Sequence, residues 1–128
     1  MAKRNQLILC DTNILISIIR NDVEIVNRFT SLEWDDLFIS IITYGEVLVG
    51  ARKREVRRTK SFLKSFGIVE LDATISAQLR QIFNEAYYHK NLLADALIAA
   101  TAVTYDLPLW TTNKTDFQYV PGIRFFNP

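Results

Sequence analysis

Short, mostly apolar runs that do not alternate with polar residues most constrain the fold of this chain. The first is Leu-Ile-Leu-Cys at residues 7–10. Comparable runs follow at 37–40, 68–71 and 107–110. A run without alternation indicates a strand that is covered on both faces. Segments with helical spacing separate these runs, so the sequence predicts an α/β domain with a central, mainly parallel sheet.

The segments between the runs predict the helices. The first begins near Asn13, with Thr12 or Asn13 as its N-cap. The others are expected at about 22–29, 43–54, 55–65, 73–88 and 92–104, and a last short strand at 123–126. Ligands bind such sheets outside the carboxyl ends of the strands, where a functional site is expected.

Length and composition bound the class of protein. The chain has 128 residues, of which 49% are hydrophobic, and we expect one domain over residues 1–128. The lone cysteine, Cys10, excludes an internal disulfide and is expected to be a reduced core residue, which suits the cytoplasm. No apolar run approaches the roughly 20 residues that span a bilayer, so no membrane association is expected. Asp11 and Asn13 interrupt the first apolar stretch, which argues against a secretory signal.

Two acidic residues follow predicted strands. Asp11 comes directly after the first run, and the fourth run leads into Thr111-Thr112-Asn113 and then Asp116. Because the carboxyl ends of parallel strands lie at one edge of a sheet, Asp11 and Asp116 are expected to be close if these strands are neighbours.

Two further acids, Glu46 and Asp95, lie among apolar residues near predicted helix starts. A helix dipole stabilises such a carboxylate by only about 0.3–1 kcal/mol, which is too little to offset burial. Each acid alone has a structural explanation: a helix cap for Asp11, a turn for Asp116, an exposed helix position for Glu46, a basic partner for Asp95. Together, four carboxylates at one crevice require cations, and oxygen ligands favour Mg²⁺ or Mn²⁺. One histidine and one cysteine are too few for a typical zinc site.

A basic segment, residues 52–60, has the sequence Arg-Lys-Arg-Glu-Val-Arg-Arg-Thr-Lys. It is either a solvated helix face or a surface that holds a nucleic-acid backbone. A divalent metal beside it suits phosphoryl chemistry, since it activates water and neutralises charge on phosphate.

Four sequence blocks carry a resemblance to a known family. They are CDTNILI around Asp11, SIITYGEVLVGAR around Glu46, LLADALIAATAV around Asp95 and LPLWTTNKTDF around Asp116. The chain resembles PIN-domain ribonucleases from end to end, and among them the VapC-type toxins of bacterial and archaeal toxin–antitoxin pairs. The resemblance implies an α/β/α sandwich and cleavage of RNA that depends on Mg²⁺ or Mn²⁺.

The resemblance also implies residue roles and partners. The acidic quartet would be Asp11, Glu46, Asp95 and Asp116, with Asp11 and Asp95 the foremost metal ligands. Polar residues that would support this site by hydrogen bonds are Thr12, Asn13, Thr112 and Asn113. The implied partners are an RNA substrate, a second copy in a homodimer, and a cognate antitoxin whose basic side chain would block the acidic pocket.

Two other functions remain open at this point. Asp11 is a candidate nucleophile of a magnesium-dependent phosphatase, although Asn13 stands where many such enzymes carry a second aspartate. Alternatively, the acids of a non-catalytic module would grip a basic partner. His89 is expected near a helix end, where a histidine favours the negative helix terminus, and is not taken as a general base.

Overall fold

A four-stranded parallel sheet forms the centre of the protein. The structure is a computed structural model that describes residues 6–88 and 92–128. The strands are β1 (Ile8–Cys10), β2 (Leu37–Ser40), β3 (Gly67–Val69) and β4 (Leu109–Trp110), in the order β3-β2-β1-β4. All pairings are parallel, as the apolar runs predict.

Six α-helices connect and cover these strands in the described part of the chain. They are α1 (Thr12–Ile19), α2 (Val23–Thr30), α3 (Ile41–Val49), α4 (Val56–Lys64), α5 (Ala73–Glu85) and α6 (Leu92–Thr104). Short 3₁₀ turns lie at Trp34–Asp36, Lys53–Glu55 and Lys114–Asp116. Within residues 6–88 and 92–128, no helix has the length and apolarity that crossing a bilayer requires.

The sheet separates two hydrophobic cores. On one face Leu9 and Leu109 pack with residues of α5 and α6. On the other face Ile8 and Cys10 pack with residues of α1, α3 and α4. Successive residues of β1 therefore point into opposite cores, which explains why the strand lacks polar alternation. The predicted three-layer α/β/α sandwich is confirmed.

Three predicted helix boundaries differ from the structure. Asp11, not Thr12 or Asn13, is the N-cap of α1, because its backbone is extended and its side chain accepts the Thr12 N–H. The helix expected at 43–54 begins at Ile41, where Ser40 caps it, and ends at Val49 before a 3₁₀ turn. The helix expected at 73–88 ends at Glu85.

The predicted strand at 123–126 is reduced to one parallel bridge between Leu109 and Phe125. Its backbone bonds run from the Leu109 N–H to Arg124 O (2.8 Å) and from the Phe126 N–H to Leu109 O (2.9 Å). β4 itself is only two residues long, so its pairing with this segment is limited to a single bridge. The prediction for His89 falls outside the described residues.

Candidate active site

The register between β1 and β4 positions the first acid of the site. Leu9 pairs with Leu109, and Cys10 pairs with Trp110. The residues that follow these two strands, Asp11 and Thr111, are therefore at the same height along the sheet and lie side by side. The Asp11 N–H continues the ladder by donating to Trp110 O at 2.9 Å.

Asp11 is 3% exposed, and its carboxylate accepts two hydrogen bonds. The Thr12 N–H donates to Oδ1 at 2.8 Å, and the Thr111 hydroxyl donates to Oδ2 at 2.8 Å. Desolvation raises the pKa of Asp11, and the nearby charges of Glu46 and Asp116 raise it further, against the lowering effect of these two bonds. The net direction of the pKa shift is upward, so the two hydrogen bonds do not fully offset the cost of ionising Asp11.

A chain of hydroxyl groups orients Glu46. Thr12 Oγ1 donates to Glu46 Oε1 at 2.7 Å and lies 3.0 Å from Thr43 Oγ1. An ionised carboxylate only accepts, so the single hydroxyl hydrogen of Thr12 goes to Glu46 and Thr43 is the donor to Thr12. Glu46 is exposed while both threonines are buried. Two buried hydroxyls on α1 and α3 therefore hold an exposed carboxylate in place.

Asp95 enters the site from the other helical layer. It lies in the first turn of α6 and is half-buried. Desolvation, followed by the charges of Asp11, Asp116 and Glu46, raises the pKa of Asp95 to about 6. Asp95 therefore lies within electrostatic range of the other three acids.

Asp116 and Tyr119 complete the described surroundings. Asp116 is exposed in the 3₁₀ turn after β4, and its N–H donates to Asn113 O at 3.0 Å. Tyr119 was not singled out from the sequence. Desolvation, then the charges of Asp95, Asp116 and Tyr88, raises the pKa of its phenol. This phenol therefore lies within electrostatic range of the acidic crevice.

Within residues 6–88 and 92–128, none of the four acids has an ion-pair partner within 4.0 Å. In the described ranges, the ion pair found is Arg124 with Asp106, and it does not involve the crevice. Across the same part of the chain, no three Asp, Glu, His or Cys side chains form a ready-made ligand cage. Mg²⁺ commonly binds one or two carboxylates and keeps several waters, so an oxygen-only site without a closed ligand cage fits it better than a metal that requires such a cage.

The supporting polar residues differ partly from those named on the sequence. Thr12 contacts Glu46, whereas the side chains of Asn13, Thr112 and Asn113 make no hydrogen bond within residues 6–88 and 92–128. Asn113 instead donates its backbone N–H to Thr111 Oγ1 at 3.0 Å.

Sequence reasoning missed Thr43 and Thr111, which the structure places in these contacts. A signal for Thr111 was present, because the residue after a parallel strand lies level with the residue after its neighbour. Nothing local in the sequence distinguishes Thr43.

Comparisons with known proteins agree with this geometry. Residues 8–123 match the PIN domain family. Ribonuclease VapC1 of Methanocaldococcus jannaschii is 31% identical, with 99% of this chain and 92% of that protein covered. The tRNA(fMet)-specific endonuclease VapC of Salmonella typhimurium is 28% identical, with 91% and 93% covered. A chain of the solved toxin–antitoxin complex from Klebsiella pneumoniae superimposes with a TM-score of 0.77 at 36% identity, covering 91% of this chain and 94% of that one.

The parallel sheet, the acids at its carboxyl edge and these matches define the class: the chain belongs to the PIN-domain family, and within it to the VapC ribonucleases. The predicted family and the predicted endoribonuclease activity are confirmed. These relatives favour the ribonuclease over the phosphatase and the non-catalytic module.

Proposed function

We propose that this protein is a single-domain toxin that hydrolyses RNA phosphodiester bonds with Mg²⁺ or Mn²⁺. The metal would be held by a quartet of carboxylates: Asp11, Glu46, Asp95 and Asp116. One observation supports this proposal: the four acids lie within electrostatic range of one another beyond the carboxyl end of the sheet, and none of them has an ion-pair partner in the described part of the chain. A divalent ion is the compensation that such a cluster requires.

The protein residues have distinct tasks in this proposal. Thr111 and the start of α1 fix both oxygens of Asp11, so this carboxylate has one orientation before any ligand arrives. Thr12 fixes Glu46 in the same way. A bound Mg²⁺ would supply the activation of a water molecule and the neutralisation of charge on the phosphate. Asp95, whose pKa lies near 6, must lose its proton before it binds a cation.

The first experiment measures RNA cleavage by the purified protein. Unfractionated tRNA is incubated with Mg²⁺, with Mn²⁺ and with a chelator, and tRNA is chosen because one relative is a tRNA(fMet)-specific endonuclease. We expect cleavage that the chelator abolishes. Asp11→Asn and Asp95→Asn should each reduce cleavage by more than about 100-fold. Removing a residue that only supports a metal ligand typically costs about 10–100-fold in activity, and removing the ligand itself should cost more.

The matched control for these variants is Asp35→Asn, which removes an exposed carboxylate outside the crevice. It should leave cleavage unchanged. Cleavage that persists in both Asp11→Asn and Asp95→Asn would contradict the quartet. Mapping of RNA ends after brief expression, against an Asp11→Asn culture, identifies the RNA that is cut.

We further propose a cognate antitoxin that places a basic side chain in the acidic crevice. The structural relative from a toxin–antitoxin complex and the unpaired acids of the described residues support this. The gene product of the adjacent reading frame should bind the toxin and stop cleavage. Replacing its inserted lysine or arginine by glutamine should restore cleavage while binding persists. Tight binding by the unaltered antitoxin without inhibition would refute the blocking role.

A homodimer is also proposed, on the basis of exposed apolar side chains. Val49 on α3 is 87% exposed and Leu93 on α6 is 71% exposed, and these two helices are in contact. A dimer interface that covers these two side chains would remove their apolar surface from water. Sedimentation should give a dimer at micromolar concentration, and Leu93→Asp should shift it to a monomer. A wild-type monomer under these conditions would exclude the homodimer.

A further inference from the structure

A groove connects the acidic crevice to the basic segment at residues 52–60. It has a volume of about 500 Å³ and lies between α1, α3 and the start of α4. Glu46, which belongs to the crevice, lines this groove, and so do Arg20 and Arg52. Apolar residues also line it, Ile16 and Val47 among them. A chain that leaves the crevice past Glu46 therefore meets two guanidinium groups.

Positive charge is concentrated beside this groove, whose own lining combines Arg20 and Arg52 with the acids Glu46 and Glu55. The basic segment holds six of the 15 basic residues of the chain and one of its 14 acidic residues, Glu55. All six basic residues are exposed, and none pairs with an acid within 4.0 Å among the residues that the structure describes. Helix α4, which contains the second half of this segment, packs on the core through Thr59 and Leu63, so its charged side chains point away from the core.

We propose that this groove binds the phosphates of single-stranded RNA that flank the scissile phosphate, and that Arg20 and Arg52 contact them. The inference rests on the proposed ribonuclease function and adds the path of the substrate. Cations beside a phosphate backbone release condensed counterions, which makes such binding dependent on salt. The groove starts at an acid of the site, so the same strand reaches both the crevice and the guanidinium groups.

Charge substitutions inside the groove test this path. The probe is a fluorescein-labelled 20-nucleotide polyuridylate, and binding is measured without cleavage in the Asp11→Asn background. Each phosphate contact to a single strand contributes about −0.7 to the slope of log affinity against log salt. Arg20→Gln/Arg52→Gln should therefore reduce the slope by about 1.4 and weaken binding roughly 25-fold at 0.1 M salt, with little change near 1 M.

Two controls separate charge from structure. Arg28→Gln/Arg80→Gln removes two exposed arginines from α2 and α5, outside the groove, and should leave the slope unchanged. Glu55→Gln removes the negative charge of the segment and should strengthen binding. A merely structural effect of the groove residues would not give opposite signs for Glu55 and Arg52.

The outcomes distinguish this inference from the proposed function. If the wild-type protein cuts RNA but the groove variant keeps the wild-type slope, the path is wrong and the ribonuclease function stands. If the groove variant binds RNA as wild type does but has lost affinity for the antitoxin, the groove is a peptide site and the inference is overturned. If wild-type protein neither binds nor cuts RNA, both fail. Loss of slope in the groove variant, with the α2/α5 control unchanged, supports the path.

Discussion

At the scale of single residues, Asp11 combines a structural and a chemical role. Its Oδ1 caps α1, and its Oδ2 is held by a residue 100 positions away in sequence, Thr111. Hydrogen bonds to a carboxylate favour its ionised form, whereas burial opposes it. Burial prevails, because the pKa of Asp11 is raised despite both bonds. A residue held in this balance is sensitive to the loss of either donor.

Thr111→Val tests this sensitivity. The change removes the hydroxyl from a buried side chain of nearly the same shape, so the pKa of Asp11 should rise further and metal binding should weaken. Loss of such an outer partner typically costs about 10–100-fold in metal affinity or activity. We expect RNA cleavage at limiting Mg²⁺ to fall within that range.

The neighbouring residue provides the control. Thr112 is exposed, and its side chain makes no hydrogen bond in the described ranges, so Thr112→Val should leave cleavage unchanged. Equal losses in the two variants would show that the hydroxyl bond to Asp11 is not the cause.

At the scale of elements, the contact between β2 and β3 depends on a glycine. A Cβ at Gly67 would lie 2.5 Å from ring atoms of Phe38, which is its partner in the parallel register. In α3, by contrast, a Cβ at Gly45 would meet no atom within 4 Å. The two glycines therefore predict opposite responses to the same substitution.

Gly67→Ala should lower the free energy of unfolding by about 1–3 kcal/mol, because the ring must move within a packed core. Gly45→Ala should raise it by about 0.8–1.0 kcal/mol, since alanine is the better helix former. Urea denaturation monitored by tryptophan fluorescence measures both. Phe38→Leu should relieve part of the cost of Gly67→Ala, and a purely additive double variant would refute the steric explanation.

The start of α5 is tied to the end of α6 by Asp72 and Tyr105. Asp72 caps α5 by accepting the Ile75 N–H at 2.8 Å, and the Tyr105 hydroxyl donates to its other oxygen. The tyrosine bond, followed by the backbone bond, lowers the pKa of Asp72. A carboxyl group with a lowered pKa in the folded state stabilises the fold at pH values above its ordinary pKa. This stabilisation is lost as the pH falls through the lowered pKa.

Tyr105→Phe should therefore raise the pKa of Asp72 toward its ordinary value of 3.8, as NMR titration of the carboxyl would measure. It should also destabilise the fold at pH 7 more than at pH 3. In an Asp72→Asn background the same change should have little further effect. An unchanged Asp72 titration would exclude the hydroxyl as the cause of the shift.

At the scale of the whole molecule, the acidic crevice makes stability depend on pH, and the proposed metal site predicts that it also depends on Mg²⁺. The pKa of Asp95 is about 6, above the ordinary 3.8, so the metal-free fold loses stability as the pH rises through this interval. A ligand that binds only the native state stabilises the fold by about 2.7 kcal/mol when its concentration is 100 times its dissociation constant. Mg²⁺ should raise the melting temperature at pH 7.5 and do so less at pH 5.5, where Asp95 is protonated.

Thermal melts with and without Mg²⁺ at both pH values measure this effect without any RNA. Asp11→Asn should abolish the magnesium-dependent rise at pH 7.5, whereas Asp35→Asn should retain it. Asp95→Asn should also flatten the pH dependence of the metal-free melt. A magnesium effect that is the same in wild type and Asp11→Asn would show that the ion binds elsewhere.

The sequence by itself determined the α/β order and the parallel sheet, and it singled out four acids that the structure brings within electrostatic range of one another. These features are local: an apolar run without alternation specifies a covered strand, and a carboxylate that follows such a run marks the edge where ligands bind. The four motif blocks are likewise contiguous in the chain, so they are recognisable before folding.

The tertiary structure alone decided which threonines hold Asp11 and Glu46, how far each acid is buried, and that Arg20 and Arg52 line one groove. Those features depend on the register of β1 against β4 and on the packing of α1 against α3. They join residues that are far apart in sequence, and no local pattern encodes which side chains meet across such a distance.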